Sequence, residues 1–410
     1  MKIKILVSLV ILSVILSPNI HSGCTTGVFS GKSTEDGRPL LWKHRDTGFL
    51  QNKIVFFDDG NYDYIGIVNS VDSSGAEVWI GYNSAGFAIM NSASYNLKPE
   101  SDTTRITDRE GVLMKKALQD CVTLKDFENL LTEYPKPLGV EANFGVIDSS
   151  GGAAYYEVDN FNFIKLDVND TTIAPDGYLL HTNYSFTGEE DEGSGYIRYA
   201  TADMLFSQAY EKNKISPQFI IQNVSRSLYH SLTKENIEFT GKEFVPFRDF
   251  IPRYYSSSST VIQGSKPEVE NDFYTMWTLL GFPLTTVAVP VWLQDEISLP
   301  EILTAESGEN AKLADFSLSL KEKAFPVKRG SGEDYIKINE LFNKAGTGIT
   351  QKLIPLENKI FSETKDKLQL WRSGNLKSDE IKDFYNYIDE KILNFYQSSF
   401  DLSNISNFEN

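Results

Sequence analysis

Cys24 follows directly on a leader-like segment, and that position gives it chemistry an internal cysteine lacks. If the chain is cut before it, a thiol and a free α-amine sit on one residue. A cysteine thiol has a pKa of ~8.5 and attacks only as thiolate; a terminal amine has a pKa of ~7.7–8.0. The amine can therefore take the thiol's proton without a histidine, the self-contained nucleophile and base found with N-terminal threonine. Two other readings stand beside this one. Ser22-Gly23 suits a lipobox, although His21 stands where that motif has an aliphatic residue, and a lipid anchor would block the thiol. A disulfide to Cys121, the other cysteine of the chain, is the third.

The cut itself is predicted by the first 23 residues. Lys2 and Lys4 precede an apolar run from Ile5 to Leu16, which Pro18, Asn19 and His21 then break. These are the charged, apolar and polar regions of a secretory signal peptide, and the run is shorter than the ~20 residues of a membrane span. The expected location is secreted or periplasmic, with lipid anchoring at the cell surface as the alternative. A formal net charge of −17 argues against nucleic acid or an anionic membrane as partner. Two cysteines do not make a disulfide-stapled scaffold, and Cys121 reads as a buried core residue. The four histidines form no helical pair, and no Cys-x-x-Cys cluster or phosphate-binding loop is present.

The elements that must position Cys24 follow from periodicity and turn chemistry. "CTTGVFSG" and "PLLWKHRD" read as strands joined by a turn containing Asp36-Gly37. "KIVFFDD", "YIGIVNSV", "AEVWIGYN" and "FAIMNSASYN" follow as further strands. Residues 108–134 predict two helices broken at Thr123. "ANFGVID" and "AAYYEVD" flank the hairpin turn "SSGG"; "NFIKLDVND" and "GYLLHTN" continue the sheet. Helix is expected over 194–229, and strands at "TVIQG" and "TTVAVPVWL". Met276–Leu293 carries no charge, but Gly281, Pro283 and Pro290 predict two buried strands and a turn rather than a span. From about 301 to 410 the chain reads as charged amphipathic helices, an extension packed on a body of residues 24–300.

"CTTGVFSGKSTEDGRPLLWKHRDTG" resembles the start of the N-terminal-nucleophile amide hydrolases. The nearest groups are choloylglycine hydrolase, penicillin V acylase, acid ceramidase and the acyl-CoA:6-aminopenicillanic acid acyltransferase family. Their mature chains begin with Cys-Thr or a close variant, and their second strand ends in Arg-Asn-x-Asp, where this chain has Lys43-His44-Arg45-Asp46. The resemblance gives Asp46 the role of holding the terminal amine. Lys43 stands where the family has arginine and Arg45 lies two residues on; either would favour the thiolate by charge, and Arg45 is preferred for its fixed fork of donors. "GYNSAGFAIMNSASYN" is similar to the family's strand-turn-strand and makes Asn91 an oxyanion donor. "GYLLHTNYS" is similar to the strand whose Asn183 completes the oxyanion hole, and Arg253 corresponds to a late active-site arginine.

What the resemblance implies is an α+β fold, a four-layer αββα sandwich of two antiparallel sheets. It implies hydrolysis of linear, non-peptide amide bonds in small N-acyl substrates through a thioester on Cys24, with acyl transfer to an amine as a variant. No metal or organic cofactor is needed. An apolar acyl pocket is the expectation that goes with it; Tyr82, Phe87 and Tyr95 are candidates for its lining, with sheet packing as the preferred reading of each. A dipeptidase of a related N-terminal-cysteine type, a lipid-anchored binding protein and a catalytically dead scaffold on the same fold are the rivals. The oligomeric state is open, a homo-oligomer included.

Overall fold

The computed structural model describes residues 23–402 apart from 239, 268, 270–273, 294–297 and 378. The predicted leader, up to residue 22, lies outside the described residues.

The first strand pair forms as its sequence predicts. β1 (Gly23–Phe29) and β2 (Leu40–Asp46) are antiparallel, with Cys24 opposite Arg45, Thr26 opposite Lys43 and Val28 opposite Leu41. The connection turns at Gly37, whose φ of +77° suits a residue without Cβ. Directly opposed residues share a face, so Cys24, Thr26 and Val28 point the same way as Arg45, Lys43 and Leu41. That face meets a second sheet. Val28 and Leu41 close with Met90 on Gly145, leaving no room there for a side chain.

The second sheet is a meander in chain order: β3 (Asn52–Phe57), β4 (Tyr64–Asn69), β5 (Ile80–Asn83), β6 (Phe87–Ala93), β7 (Ala142–Asp148), β8 (Ala153–Val158) and β9 (Phe163–Asp167). The first sheet is assembled from distant segments. β10 (Tyr178–His181) flanks β1; β14 (Ser256–Gln263) flanks β2, followed by β15 (Thr275–Leu280) and β16 (Val289–Val291). Two short strand pairs lie outside both sheets: β11 (Tyr229–His230) with β12 (Glu235–Asn236), and β13 (Val245–Pro246) with β17 (Tyr335–Ile336).

Helices cover both outer faces. α1 (Glu110–Asp120) and α2 (Leu124–Glu133) lie on the second sheet, where Phe127 packs edge-on against Tyr156 and Phe144. The predicted break at Thr123 is a capping box: Thr123 accepts from the Asp126 N–H, and Asp126 accepts from the Thr123 N–H. Cys121 is buried between these helices, and both cysteines are free thiols. On the first sheet lie α3 (Tyr196–Tyr210), α5 (Lys312–Ala324), α6 (Ile349–Leu370) and α7 (Glu380–Phe400). Trp277 stacks on Phe361 at 4.1 Å, Trp292 on Tyr385 at 5.6 Å, and Arg226 makes a buried two-pronged ion pair with Glu357. The charged C-terminal helices thus bury an apolar stripe in the same core as the first sheet. The result is a four-layer αββα sandwich.

Two segments differ from their sequence reading. The helix expected over 194–229 stops at Tyr210. Asn213 turns the chain with a φ of +49°, and Ser216 caps a fresh turn, α4 (Pro217–Phe219), that runs into a π-helical Ile220–Val224. In "TTVAVPVWL" only Val289–Val291 pairs. Met276–Leu293 holds the two buried strands and turn that its glycine and prolines predict, with Gly281 at φ +85°. Among the described residues no helix is long and apolar enough to cross a membrane.

Candidate active site

Cys24 is the second residue of β1, a strand flanked on both sides within the first sheet, and lies almost wholly buried at a cavity of about 460 Å³. Lys43, Arg45, Asp46 and Asn91 line the same cavity; Asn183 and Arg253 meet the backbone at Gly23 and Cys24. All seven residues singled out in the sequence therefore converge on one place.

The nitrogen of Cys24 is held by Asn183. It donates to Asn183 Oδ1 at 3.2 Å, while Asn183 Nδ2 donates to Ala93 O at 2.9 Å. Oδ1 receives two donors and Nδ2 meets a carbonyl, so the network itself fixes the orientation of the amide. Asn183 sits at this point because β10 ends at His181 beside Thr26 and the chain then bridges to Ser194.

Asp46 ends β2 opposite Gly23. Its Oδ2 accepts from Arg253 Nε at 2.8 Å and its Oδ1 from Ser256 Oγ at 2.6 Å. Burial alone would lower Arg253, but the charge and hydrogen bond of Asp46 raise it on balance. Gly23 fits against this pair only because it is glycine: a Cβ there would collide with Arg253 Nη2 and stand 2.9 Å from Asn183 Oδ1. His44, between Lys43 and Arg45, faces Ser256 Oγ at 2.9 Å and is pushed down to about 4 by burial, so it is neutral at pH 7.

The two cations on the Cys24 face are both buried and take separate places. Arg45 donates to Asn52 Oδ1, and its guanidinium lies 4.6 Å from the centre of the Trp79 ring. Asn52 is itself anchored to the carbonyls of Phe49 and Leu50. Lys43 donates to Asn91 Oδ1 at 2.6 Å and to Trp79 O at 2.8 Å. Room for that ammonium exists because the pairing of β5 with β6 begins at Ile80 and Met90, leaving Trp79 and Asn91 outside it. Burial lowers Lys43 to about 8 and Arg45 to about 10, and each is within electrostatic reach of Cys24. The electrostatics thus do not choose between the two, since each acts on Cys24 from its own place.

Sequence reasoning missed Arg198. From the first turn of α3 it donates to Cys24 O at 2.7 Å, Thr25 Oγ1 at 2.9 Å and Asn183 Oδ1 at 2.6 Å. Burial lowers it to about 10. A signal was present: Arg198 shares the buried helix face of Thr201, Ala202, Phe206 and Ala209. An arginine on such a face needs partners.

The pocket differs from the expected apolar one. Tyr82 is buried away from it, stacked on Tyr274 with its hydroxyl accepting from Leu293 N; Phe87 packs with Phe127; Tyr95 is largely exposed. The cavity walls instead carry Glu77, Asp108, Glu110 and Asn69, with Trp79 and Phe49 as their rings. Tyr82 and Phe87 thus take the sheet packing preferred for them from the sequence and do not line the cavity.

No family model matches the sequence, and no curated protein matches it. Among solved structures, the chain is similar to the Caenorhabditis elegans N-acylethanolamine-hydrolyzing acid amidase (NAAA) ortholog, at 14% identity and a TM-score of 0.37 over 58% of this chain and 92% of that one. It is similar to penicillin V acylase from Agrobacterium tumefaciens at 12% identity and 0.40, over 66% and 86%. Its similarity to a mutant conjugated bile acid hydrolase from Clostridium perfringens is 13% and 0.41, over 67% and 93%. The chemistry assigned below rests on the geometry of this site.

Proposed function

We propose that the chain is a secreted cysteine hydrolase that cleaves carbon–nitrogen amide bonds with the N-terminal residue as nucleophile, after removal of residues 1–23. The observation that carries this reading is the placement of Cys24. It stands at the open end of a central strand, with its thiol at a cavity and its nitrogen bound to Asn183 Oδ1. Glycine is the residue that fits before it, walled by Arg253 and Asn183. Removal of Gly23 would leave an amine among fixed polar partners.

The freed amine takes the thiol proton, and sulfur attacks the amide carbonyl carbon. Lys43 and Arg45 supply positive charge as the sulfur becomes anionic. The carbonyl oxygen becomes an oxyanion, to which the second N–H of Asn183 Nδ2 and the amide of Asn91 donate. Removing one such donor costs about 10²–10³ in rate. The ammonium returns its proton to the leaving nitrogen, the C–N bond breaks, and a thioester remains. Water then adds to the thioester carbonyl, giving one proton to the amine; sulfur departs, recovers it, and a carboxylic acid is released. An amine in place of water would make the same site an acyltransferase. Arg198, and Asp46 through Arg253, position the amine.

Intact mass of the exported protein tests the first requirement: a mature chain beginning at unmodified Cys24 is expected. A Cys24 carrying lipid would overturn the mechanism in favour of an anchored binding protein. Purified Cys24→Ala is then assayed on a panel of small N-acyl amides, where turnover equal to the parent's would remove Cys24 from the chemistry.

A further inference from the structure

Asp46 is gripped at both oxygens, and both grips lead to Ser256. Its Oδ1 accepts from Ser256 Oγ at 2.6 Å, and its Oδ2 accepts from Arg253 Nε at 2.8 Å. The backbone N–H of that same Arg253 donates to Ser256 Oγ at 2.8 Å. His44 Nε2 is the third neighbour of the hydroxyl, at 2.9 Å; it lies 3.7 Å from Asp46 Oδ1, too far for a direct bond. A hydroxyl has one proton to give and two lone pairs to accept with. The proton of Ser256 goes to the carboxylate, which can only accept, and one lone pair takes the Arg253 N–H. The other lone pair therefore takes a proton from His44. Burial keeps that ring uncharged at pH 7, so it has a single N–H to give, and the network assigns it to Nε2. Nδ1 is then bare, and it has no hydrogen-bond partner among the described residues.

A β-bulge aims Ser256 at this point. Ser258 pairs with Arg45 and Ser256 with Asp46, so Ser257 is an extra residue on β14. Unbroken alternation would set Ser257 opposite Asp46; the bulge puts Ser256 there instead, and Ser257 donates to Arg45 O at 3.4 Å. Ser256 and His44 are both fully buried. Serine, histidine and aspartate are the residues of a catalytic triad, but their order here is wrong for one. In a triad the histidine accepts the serine proton and the aspartate orients the histidine. Here the serine proton points at the aspartate and the histidine gives its own, so Ser256 has no base and is not a nucleophile. The bonds instead saturate Ser256 and fix the carboxylate that stands opposite Gly23, beside the nitrogen of Cys24.

We propose that Ser256 and His44 are positioning residues for the amine of mature Cys24: His44 orients the Ser256 hydroxyl, and Ser256 holds Asp46 both directly and through Arg253. This rests on the amide-hydrolase reading, and the test separates the two. Alkylation of the mature chain by iodoacetamide at pH 7, followed by peptide mass, needs no known substrate. Cys24 reports the nucleophile; Cys121, buried between α1 and α2, reports unfolding. Ser256→Ala should slow the alkylation of Cys24 by about tenfold or more, because a loosened amine takes the thiol proton less well, while Cys121 stays protected. His44→Leu should slow it by roughly threefold or more, and His44→Gln, whose amide keeps a donor, should recover most of that loss. If Ser256→Ala exposes Cys121, the two His44 variants decide. A folded Ser256→Ala that reacts at the parental rate, or His44→Leu and His44→Gln that react alike, would overturn the proposal. A parent Cys24 that reacts no faster than free cysteine would strike the hydrolase reading itself, and the proposal with it.

Discussion

Arg198 Nη2 and the backbone nitrogen of Cys24 donate to the same atom, Asn183 Oδ1, at 2.6 and 3.2 Å. The guanidinium also holds the carbonyl of Cys24, so one buried side chain fixes both ends of the nucleophilic residue. A fixed positive charge beside an amine opposes its protonation. In the proposed mature enzyme Arg198 would therefore help keep the amine available as a base.

Replacing Arg198 tests that role. Arg198→Met should lower kcat by about 10²-fold with KM changed less, because it loosens Asn183 and the nucleophile rather than the substrate wall. The acid limb of kcat/KM should move to higher pH as the amine gains affinity for its proton, and Arg198→Lys should restore part of that shift. Loss of activity with an unmoved acid limb would reduce Arg198 to a structural prop.

In the proposed mechanism Gly23 is the residue that processing discards, so a substitution there would act on the precursor alone. Gly23→Val should clash with Arg253 and Asn183 and depress the yield of mature protein several-fold, roughly, since a buried clash costs about 1–3 kcal/mol. The mature chain that is recovered should have parental mass and kcat. A stable exported chain that retains Val at position 23 would contradict both the clash and the cut.

Much of this site was legible because it is local. Cys24, Arg45 and Asp46 lie on a hairpin whose turn, register and alternation can be read from "CTTGVF" and "PLLWKHRD", whereas the αββα layering is what the family resemblance implies, and the strand and helix pattern is compatible with it. What escaped was non-local. Arg198 reaches Cys24 from 174 residues away in sequence, and no periodicity names its target. The polar character of the pocket escaped for a related reason. An apolar lining is the expectation for an acyl group, but burial on a strand does not say which side chains border a cavity. Asn69, Glu77 and Glu110 come from three separate elements, and only the packed sheets bring them to one wall.

Lys43 gives the site a pH dependence whose direction follows from its burial. Desolvation lowers it to about 8, so it is cationic below that pH and neutral above. Its charge toward the anionic sulfur is therefore lost as pH rises through 8, and the alkaline limb of kcat should fall there. Lys43→Arg keeps its charge across this range and should extend the plateau upward, at some cost in kcat because a planar fork does not fit between Asn91 and Trp79 O as an ammonium does. Lys43→Met should remove that alkaline limb and lower kcat at pH 7 by about 10-fold or more. An alkaline limb unchanged in Lys43→Arg would assign it to another group.

Lys321 makes the corresponding prediction for stability. It is buried on α5 with its ammonium 3.8 Å from the Tyr254 ring centre, and Nζ has no hydrogen-bond partner. Burial lowers it to about 7, with Lys328 adding to the effect. Between pH 7 and 10.5 the unfolded chain holds this proton more firmly than the folded one, so unfolding free energy rises with pH across that window. Below pH 7 both states are protonated and the penalty is complete. Its size follows from the displacement, up to roughly 5 kcal/mol, partly offset by the cation–π contact. Lys321→Met, of similar length and no charge, should raise the thermal midpoint at pH 7 and flatten the rise in stability between pH 7 and 10. Denaturant unfolding of the two chains at several pH values measures the difference directly. A variant less stable than the parent at pH 7 would mean that the contact with Tyr254 outweighs the cost of burying the charge.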